Sequence, residues 1–306
     1  MSCSLCPRHC TANRTAEVGF CGAHEGLEVS AICLHTGEEP PLGGNATDTQ
    51  GGIVNVFFSH CNLHCIYCQN QDISEASIAE RLIHYRTVDE VADSICKLLP
   101  QSDNLLGFVT AAHYANHLPS IVEAVHQRGF NPTVVYNSSG YESVDTLRSL
   151  EGTVDIYLPD FKYMDSDLAG RYSHAPDYPD VAEKAIKEMM RQVGTGLKCD
   201  DNGIAFRGLI IRHLVLPGHV NNSLAVLDRL AQLPTTNYRL PKLSLMAQYF
   251  PPRTDLPKPL DRSISADEYN LVTQYYKELG FDGWLQELAS EHTYRPDFTN
   301  KNNPFF

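Results

Sequence analysis

Ile53-Val-Asn-Val-Phe-Phe58-Ser-His-Cys61-Asn-Leu-His-Cys65-Ile-Tyr-Cys68 places an apolar run directly before three cysteines. Residues 52–58 are nearly continuous in apolar character, the pattern of a strand buried on both faces. The cysteines follow at the spacing Cys-x3-Cys-x2-Cys. Three thiolates can hold three irons of a cubane [4Fe–4S] cluster and leave the fourth iron without a protein ligand, whereas an ordinary electron-transfer cluster uses four cysteines. An open iron can bind a small molecule. The plainer reading of Cys-x2-Cys is a zinc site or a set of buried thiols. In this loop that reading needs His60 or His64 as a further ligand, because no cysteine follows Cys68 until Cys96.

Working outward, the same order of apolar run and helical pattern recurs. Further runs lie at 105–109, 133–137, 154–158, 208–215 and 243–248. They are short and β-rich, as buried parallel strands are. Thr87-Val-Asp-Glu90 is a capping-box pattern, after which Val88, Val91, Ala92, Ile95 and Leu98 keep a helical period. Leu118, Ile121, Val122 and Val125 do the same. Further helices are expected over Val181–Val193, over Asn222–Leu233, and from Ser265-Ala-Asp-Glu268 to near Gly280. Six β-then-α units suggest an α/β fold, a partial (β/α)6 TIM-like barrel of parallel strands. A doubly wound open sheet is the alternative. Residues 1–50, rich in Cys, Gly and Pro, read as an irregular Cys-rich N-terminal extension stapled by metal. Residues 51–291 read as the barrel, with a proline-rich loop at 251–262, and 292–306 as a polar, loosely ordered tail.

Composition limits the function classes. Lys and Arg number 24 against 37 Asp and Glu, a net charge of −13. That disfavours nonspecific nucleic-acid binding, which rests on basic contacts to phosphate. No apolar run approaches the ~20 residues of a membrane span. Ten cysteines without a secretory leader argue for a reducing, cytoplasmic setting. Four of them, Cys3, Cys6, Cys10 and Cys21, crowd the N-terminus, where such clustering usually means metal. Zinc, a second iron–sulfur cluster, free thiols and partial ligation with His9 or His24 all remain open. Cys33, Cys96 and Cys199 have no ligand-like neighbours, and Cys96 falls on an apolar helix face.

Active sites of parallel barrels form at the C-terminal ends of the strands. The segments after the six runs are polar: the three cysteines, Thr110-Ala-Ala-His113, Asn137-Ser-Ser-Gly140, Asp160-Phe-Lys162, Pro217-Gly-His219 after Arg212 and His213, and Gln248-Tyr249. Each has a bland reading as well. Asn137 and Ser138 can start a turn, Gly140 can supply a positive φ, His113 can be a surface loop histidine, and Asp160 and Lys162 can form an ion pair.

The Cys61–Cys68 pattern resembles the radical S-adenosylmethionine (SAM) superfamily. That resemblance implies a [4Fe–4S] cluster on Cys61, Cys65 and Cys68 whose open iron chelates SAM. It also implies reductive cleavage to a 5′-deoxyadenosyl radical that abstracts hydrogen, and Tyr67 near the adenine. More narrowly, the chain is similar to homologues of pyruvate formate-lyase activating enzyme that carry an N-terminal Cys-rich segment. The matching motifs are Cys6-Pro-Arg-His-Cys10, Gly19-Phe-Cys21-Gly22, Gly37-Glu-Glu-Pro40, Phe57-Phe-Ser-His-Cys61, Cys68-Gln-Asn70, Tyr136-Asn-Ser-Ser-Gly-Tyr-Glu142, Asp155-Ile-Tyr-Leu-Pro-Asp-Phe-Lys162 and Arg212-His-Leu-Val-Leu-Pro-Gly218. The resemblance implies that Lys162 helps hold the SAM carboxylate and that Asp160 orders the site or holds a cation. Tyr67, Thr110, His113, Asn137, Ser139, Asp160, Lys162, Arg212 and Gln248 form the candidate SAM-binding set. Two family features are absent. Thr110-Ala-Ala-His113 stands where the activating enzymes have Gly-Gly-Glu, and Met246-Ala-Gln248-Tyr249 replaces their late histidine motif.

The expectation is an oxidoreductase of the activating-enzyme kind, with SAM, a flavodoxin- or ferredoxin-like electron donor and a protein substrate as partners. No nucleic-acid or membrane partner is expected. Radical modification of another protein site or of a small molecule is the alternative within the enzyme class. A non-catalytic zinc or iron–sulfur electron-transfer protein is the alternative outside it.

Overall fold

Strands of this chain assemble into one mixed sheet in a computed structural model that describes residues 3–43, 51–75, 85–234, 240–288, 295–300 and 303–305. They are β1 (Val29–His35), β2 (Ile53–Phe58), β3 (Leu105–Val109), β4 (Thr133–Ser138), β5 (Ile156–Pro159), β6 (Lys198–Cys199), β7 (Ala205–Leu214), β8 (Lys242–Met246) and β9 (Gly283–Leu285). Among the described residues the order is β1-β2-β3-β4-β5-β7-β8-β9, with β6 attached to β7 alone. Every pairing from β2 through β9 along this path is parallel. The parallel strands follow one another in chain order without the reversal of a doubly wound sheet, as in a TIM-like barrel, and among the described residues the two edges do not pair, so the barrel is partial. All six residues of β2 are buried, as its apolar run predicts for a strand covered on both faces.

The helices are α1 (Gln71–Ser74), α2 (Val88–Leu98), α3 (Leu118–Gln127), α4 (Val144–Ser149), α5 (Ser166–Ser173), α6 (Tyr178–Val193), α7 (Val220–Ala231) and α8 (Ala266–Glu278). Both expected capping boxes form. Thr87 caps α2 with Glu90, and Ser265 caps α8 with Glu268. Among the described residues no helix is long and apolar enough to cross a membrane.

Three expectations need correction. The first 50 residues are not wholly irregular, because β1 joins the sheet antiparallel to β2. Its burial alternates strictly, with inward Val29, Ala31, Cys33 and His35, the period-2 signal of a half-covered edge strand. Seven parallel strands are present rather than six, because the short β9 adds to β8. The tail is not loose where it is described. Phe298 is buried and packs edge-on against Phe57, Phe305 lies 4.2 Å from the His35 ring, and the Asn303 amide donates to the Leu34 carbonyl.

Between β1 and β2 the chain enters the barrel. Leu42 is fully buried and packs with Ile53, Leu105, Val135, Ile156 and Ile210. These side chains form an apolar layer that plugs one end of the lumen. Gly43 and Gly52 meet backbone to backbone there, at φ 89° and 93°, and a Cβ on Gly43 would lie 2.4 Å from the Gly52 Cα. Only glycine fits such an approach in the left-handed region.

Candidate active site

At the opposite end of the lumen a cavity of about 500 Å³ opens, within the usual range for small-molecule sites. Its wall brings together Cys61, Cys65, Cys68, Tyr67, Thr110, Asn137, Ser139, Asp160, Lys162, Arg212 and Gln248. These residues come from six parallel strand ends and are far apart in sequence. His113 alone of the expected set is elsewhere. It is 1% exposed, its Nε2 lies 2.7 Å from the Ser59 carbonyl, and burial pushes its pKa down to about 3. It is neither a surface loop histidine nor a wall residue; it fastens the backbone ahead of the cysteines.

The cysteine loop turns sharply, with His60 at φ 71° and His64 at φ 54° on either side of Cys61. His60 pairs with the buried carboxylate of Glu28, and His64 stacks on Phe20 at 4.9 Å. Both rings are engaged with the N-terminal segment, so the loop offers the cavity three thiols. Burial, and then mutual repulsion with Cys65 and Cys68, pushes Cys61 up to about 12. Burial pushes Cys68 up to about 11, and Cys65 is also raised by burial, against the pull of Lys162. Three crowded, buried thiols of this kind become thiolates when strongly positive metal compensates them. The donor set of this loop is three sulfurs, since His60 and His64 are engaged elsewhere, and three thiolates suit the irons of a cluster, one sulfur to each, whereas a structural zinc takes four ligands.

The sulfur of Cys65 accepts from the Ser173 hydroxyl at 2.9 Å. Ser173 contacts the Tyr163 hydroxyl at 2.8 Å, which in turn lies 2.5 Å from the Tyr67 hydroxyl. The ring of Tyr67 is thereby tied to the same sulfur through a buried chain of hydroxyls. Sequence reasoning missed Ser173, whose place on α5 more than 100 residues away carries no local signal.

Lys162 forms an ion pair with Asp160. Burial alone would lower the lysine pKa, but the Asp160 carboxylate and the nearby thiols raise it further, so it stays a cation. The loop that carries the pair is held rigidly. The Tyr178 hydroxyl accepts from the Lys162 amide at 3.0 Å, and the Asn222 amide donates to the Lys162 carbonyl at 3.0 Å. Nδ1 of His213 donates to the Phe161 carbonyl at 2.7 Å, while its Nε2 accepts from Ser223 at 2.8 Å. Burial lowers His213 to about 4, so this neutral tautomer persists. Arg212 and His213 thus face opposite sides of β7, one into the lumen and one toward α7. Gln248 joins the loops, with its Nε2 3.1 Å from Gln69 Oε1 and its Oε1 accepting from Gln286 at 2.7 Å.

Arg212 does not stand free. Its Nε donates to Glu39 at 2.8 Å, and its Nη2 bonds both Glu39, at 2.5 Å, and Glu38. Both glutamates come from Gly37-Glu-Glu-Pro40 and line the cavity. Their motif was visible in the sequence, but its role was not.

Of the N-terminal cysteines, Cys6 and Cys21 are buried, Cys3 is partly buried and Cys10 is exposed. Burial, opposed by a backbone hydrogen bond at Arg8 and aided by the charges of Cys21, Glu142 and Cys3, pushes Cys6 up to about 12. The segment packs on the active-site loop, where Arg8 Nε donates to the Asn62 carbonyl at 2.8 Å.

No family model matches the chain. The uncharacterized protein MJ0674 of Methanocaldococcus jannaschii is 31% identical over 254 residues, which is 82% of this chain and 66% of that protein. A second uncharacterized protein of that organism, MJ0808, is 29% identical over 101 residues, 30% of this chain and 29% of its own length. The chain therefore spans a little under two thirds of the first relative and under a third of the second. Among solved structures, the fold is similar to a domain of pyruvate-formate lyase-activating enzyme from Bacteroides vulgatus (15% identity, 57% of this chain and 92% of that chain, TM-score 0.41). It is also similar to anSMEcpe with bound AdoMet (12%, 74% and 61%, 0.48) and to methylornithine synthase (12%, 87% and 78%, 0.46). By sequence this chain is a relative of MJ0674, and by architecture it is a partial α/β barrel whose mouth presents three thiols, Cys61 buried and Cys65 and Cys68 partly buried.

Proposed function

We propose that the chain is a radical SAM enzyme. The observation that carries the reading is the gathering of three thiols without a fourth, beside a lysine held cationic, on one wall of the cavity. Cys61, Cys65 and Cys68 would hold a [4Fe–4S] cluster. When bound, the cluster supplies one electron for reductive cleavage of SAM to methionine and a 5′-deoxyadenosyl radical. Lys162 neutralises the SAM carboxylate, and Asp160 keeps the ammonium in place. Tyr67, fixed by Tyr163 and Ser173, offers an aromatic face beside the thiols. The buried wall and the mouth residues Asn137, Ser139 and Gln248 exclude bulk water from a reactive species.

The finer readings are an activating-enzyme role on a glycyl-radical protein, a low-potential flavodoxin- or ferredoxin-like donor, and a second metal on Cys3, Cys6, Cys10 and Cys21. All ten cysteines are free, which suits a reducing, cytoplasmic setting.

The test is anaerobic reconstitution with iron and sulfide, followed by dithionite and SAM. The expected result is a cluster whose spectrum changes on SAM addition, with release of 5′-deoxyadenosine. A Cys61→Ala protein that still releases it would sink the assignment.

A further inference from the structure

Below the thiols the cavity ends in a second polar group. Asn55 projects inward one strand layer beneath Phe57, and its amide donates to Glu38 at 2.9 Å. Gly107, its partner on β3, leaves the necessary room, because a Cβ there would lie 1.9 Å from the Asn55 oxygen. Glu38 and Glu39 stand beside Asn55, clamped on Arg212, above the apolar layer around Leu42.

Among the described residues the charge of this lining does not balance. The ionisable wall residues besides the thiols and His35 are Glu38, Glu39 and Asp160 against Lys162 and Arg212. Asp160 is satisfied by Lys162, so two glutamates share one arginine. Burial pushes Glu38 up, but Arg212, His35 and the hydrogen bonds from Arg212 and Asn55 outweigh it and bring it to about 2. Glu38 is thus held ionised, and with Glu39 it gives this end of the cavity one more negative charge than Arg212 answers.

His35 makes no hydrogen bond to Glu38: its Nε2 is 3.9 Å away, beyond reach, and burial lowers its pKa against the pull of Glu38. His35 is 8% exposed, lines the same cavity, and its Nδ1 has no partner. An excess carboxylate and an unpartnered buried imidazole therefore border one space.

We propose that this floor recognises a cationic group, a primary ammonium or guanidinium, on a small ligand other than SAM. Glu38 supplies the counter-charge, His35 adds a polar wall beside it, and Asn55 fixes Glu38 in place. That the ligand is the substrate rests on the radical SAM function proposed above; the binding site itself does not.

The probe is putrescine, with 1,4-butanediol as its uncharged isostere, titrated calorimetrically into the full chain. Putrescine is expected to bind and to raise the melting temperature, and the diol to do neither. Glu38→Gln is expected to weaken putrescine by on the order of tenfold or more and, in its absence, to melt no lower than the wild type, because it leaves Arg212 matched by one carboxylate. Equal behaviour of diamine and diol, or unchanged affinity in Glu38→Gln, overturns the proposal. So does a Glu38→Gln protein that melts well below the wild type or fails to fold, since the glutamate would then be a structural partner of Arg212. Saturating SAM should leave putrescine affinity in place, and competitive displacement would make SAM itself the occupant and overturn the assignment. Release of 5′-deoxyadenosine is measured on the same preparation. Release without amine binding sinks the floor site alone, while amine binding without release sinks the radical SAM reading and leaves the site standing.

Discussion

Lys162 carries the charge that a SAM carboxylate would meet, on a loop whose backbone is fixed by Tyr178, Asn222 and His213. Lys162→Met should weaken SAM binding by about tenfold or more, the usual worth of a charge-assisted hydrogen bond, as read by equilibrium dialysis. Ser173 acts through sulfur. Hydrogen bonds to cluster ligands help set reduction potential, so Ser173→Ala should move the midpoint of a reconstituted cluster to more negative values in an EPR-monitored titration. Glu142 is the residue whose protonation matters to folding. Burial, opposed by bonds from Ser138 and Tyr136, raises its pKa from 4.5 to about 7. Between those values the folded chain keeps a proton that the unfolded chain has lost. Its contribution to stability is therefore full at low pH, falls as pH rises through that window, and is flat above it. The loss amounts to about 3 kcal/mol. Urea unfolding at pH 5 and pH 8 should show a steeper decline in the wild type than in Glu142→Gln, and parallel declines would refute the assignment.

At the level of elements, the segment from Gly37 to Gly43 matters most. Leu42→Ala should cost about 2–5 kcal/mol, as buried leucines do, measured by chemical denaturation. Thr87→Ala and Ser265→Ala should each cost about 1 kcal/mol through lost capping. How far such elements could be read from sequence depended on the range of their causes. The strands β2, β3, β4, β5, β7 and β8 and the capped helices were legible, because long apolar runs and capping boxes are local signals, whereas the short β6 and β9, without a buried residue, carry none. So were the cysteine loop and Asp160-Phe-Lys162, whose spacing is chemical. β1 was passed over because its alternating Val29–His35 pattern sits among Cys, Gly and Pro. The roles of Glu38 and Glu39 were hidden, because their partner Arg212 is 173 residues away. His113 was misplaced for a related reason. A polar residue just past a strand end can face the lumen or the backbone behind it, and only packing decides.

Seen whole, the molecule does not separate into a cap and a barrel. β1 extends the sheet, Leu42 fills the barrel, and Arg8 holds the cysteine loop. A chain beginning at residue 51 should therefore fail to give a cooperative unfolding transition, whereas an independent extension would leave one intact.

The plug around Leu42 has a kinetic consequence. Among the described residues the lumen, sealed at one end, is a blind channel, and the thiols stand toward its open end. Whatever lodges at the bottom must arrive before the larger nucleoside settles across the mouth, and it cannot leave until the mouth clears. Saturating SAM should then slow the exchange of putrescine on and off the floor without lowering its equilibrium affinity, which relaxation kinetics would reveal.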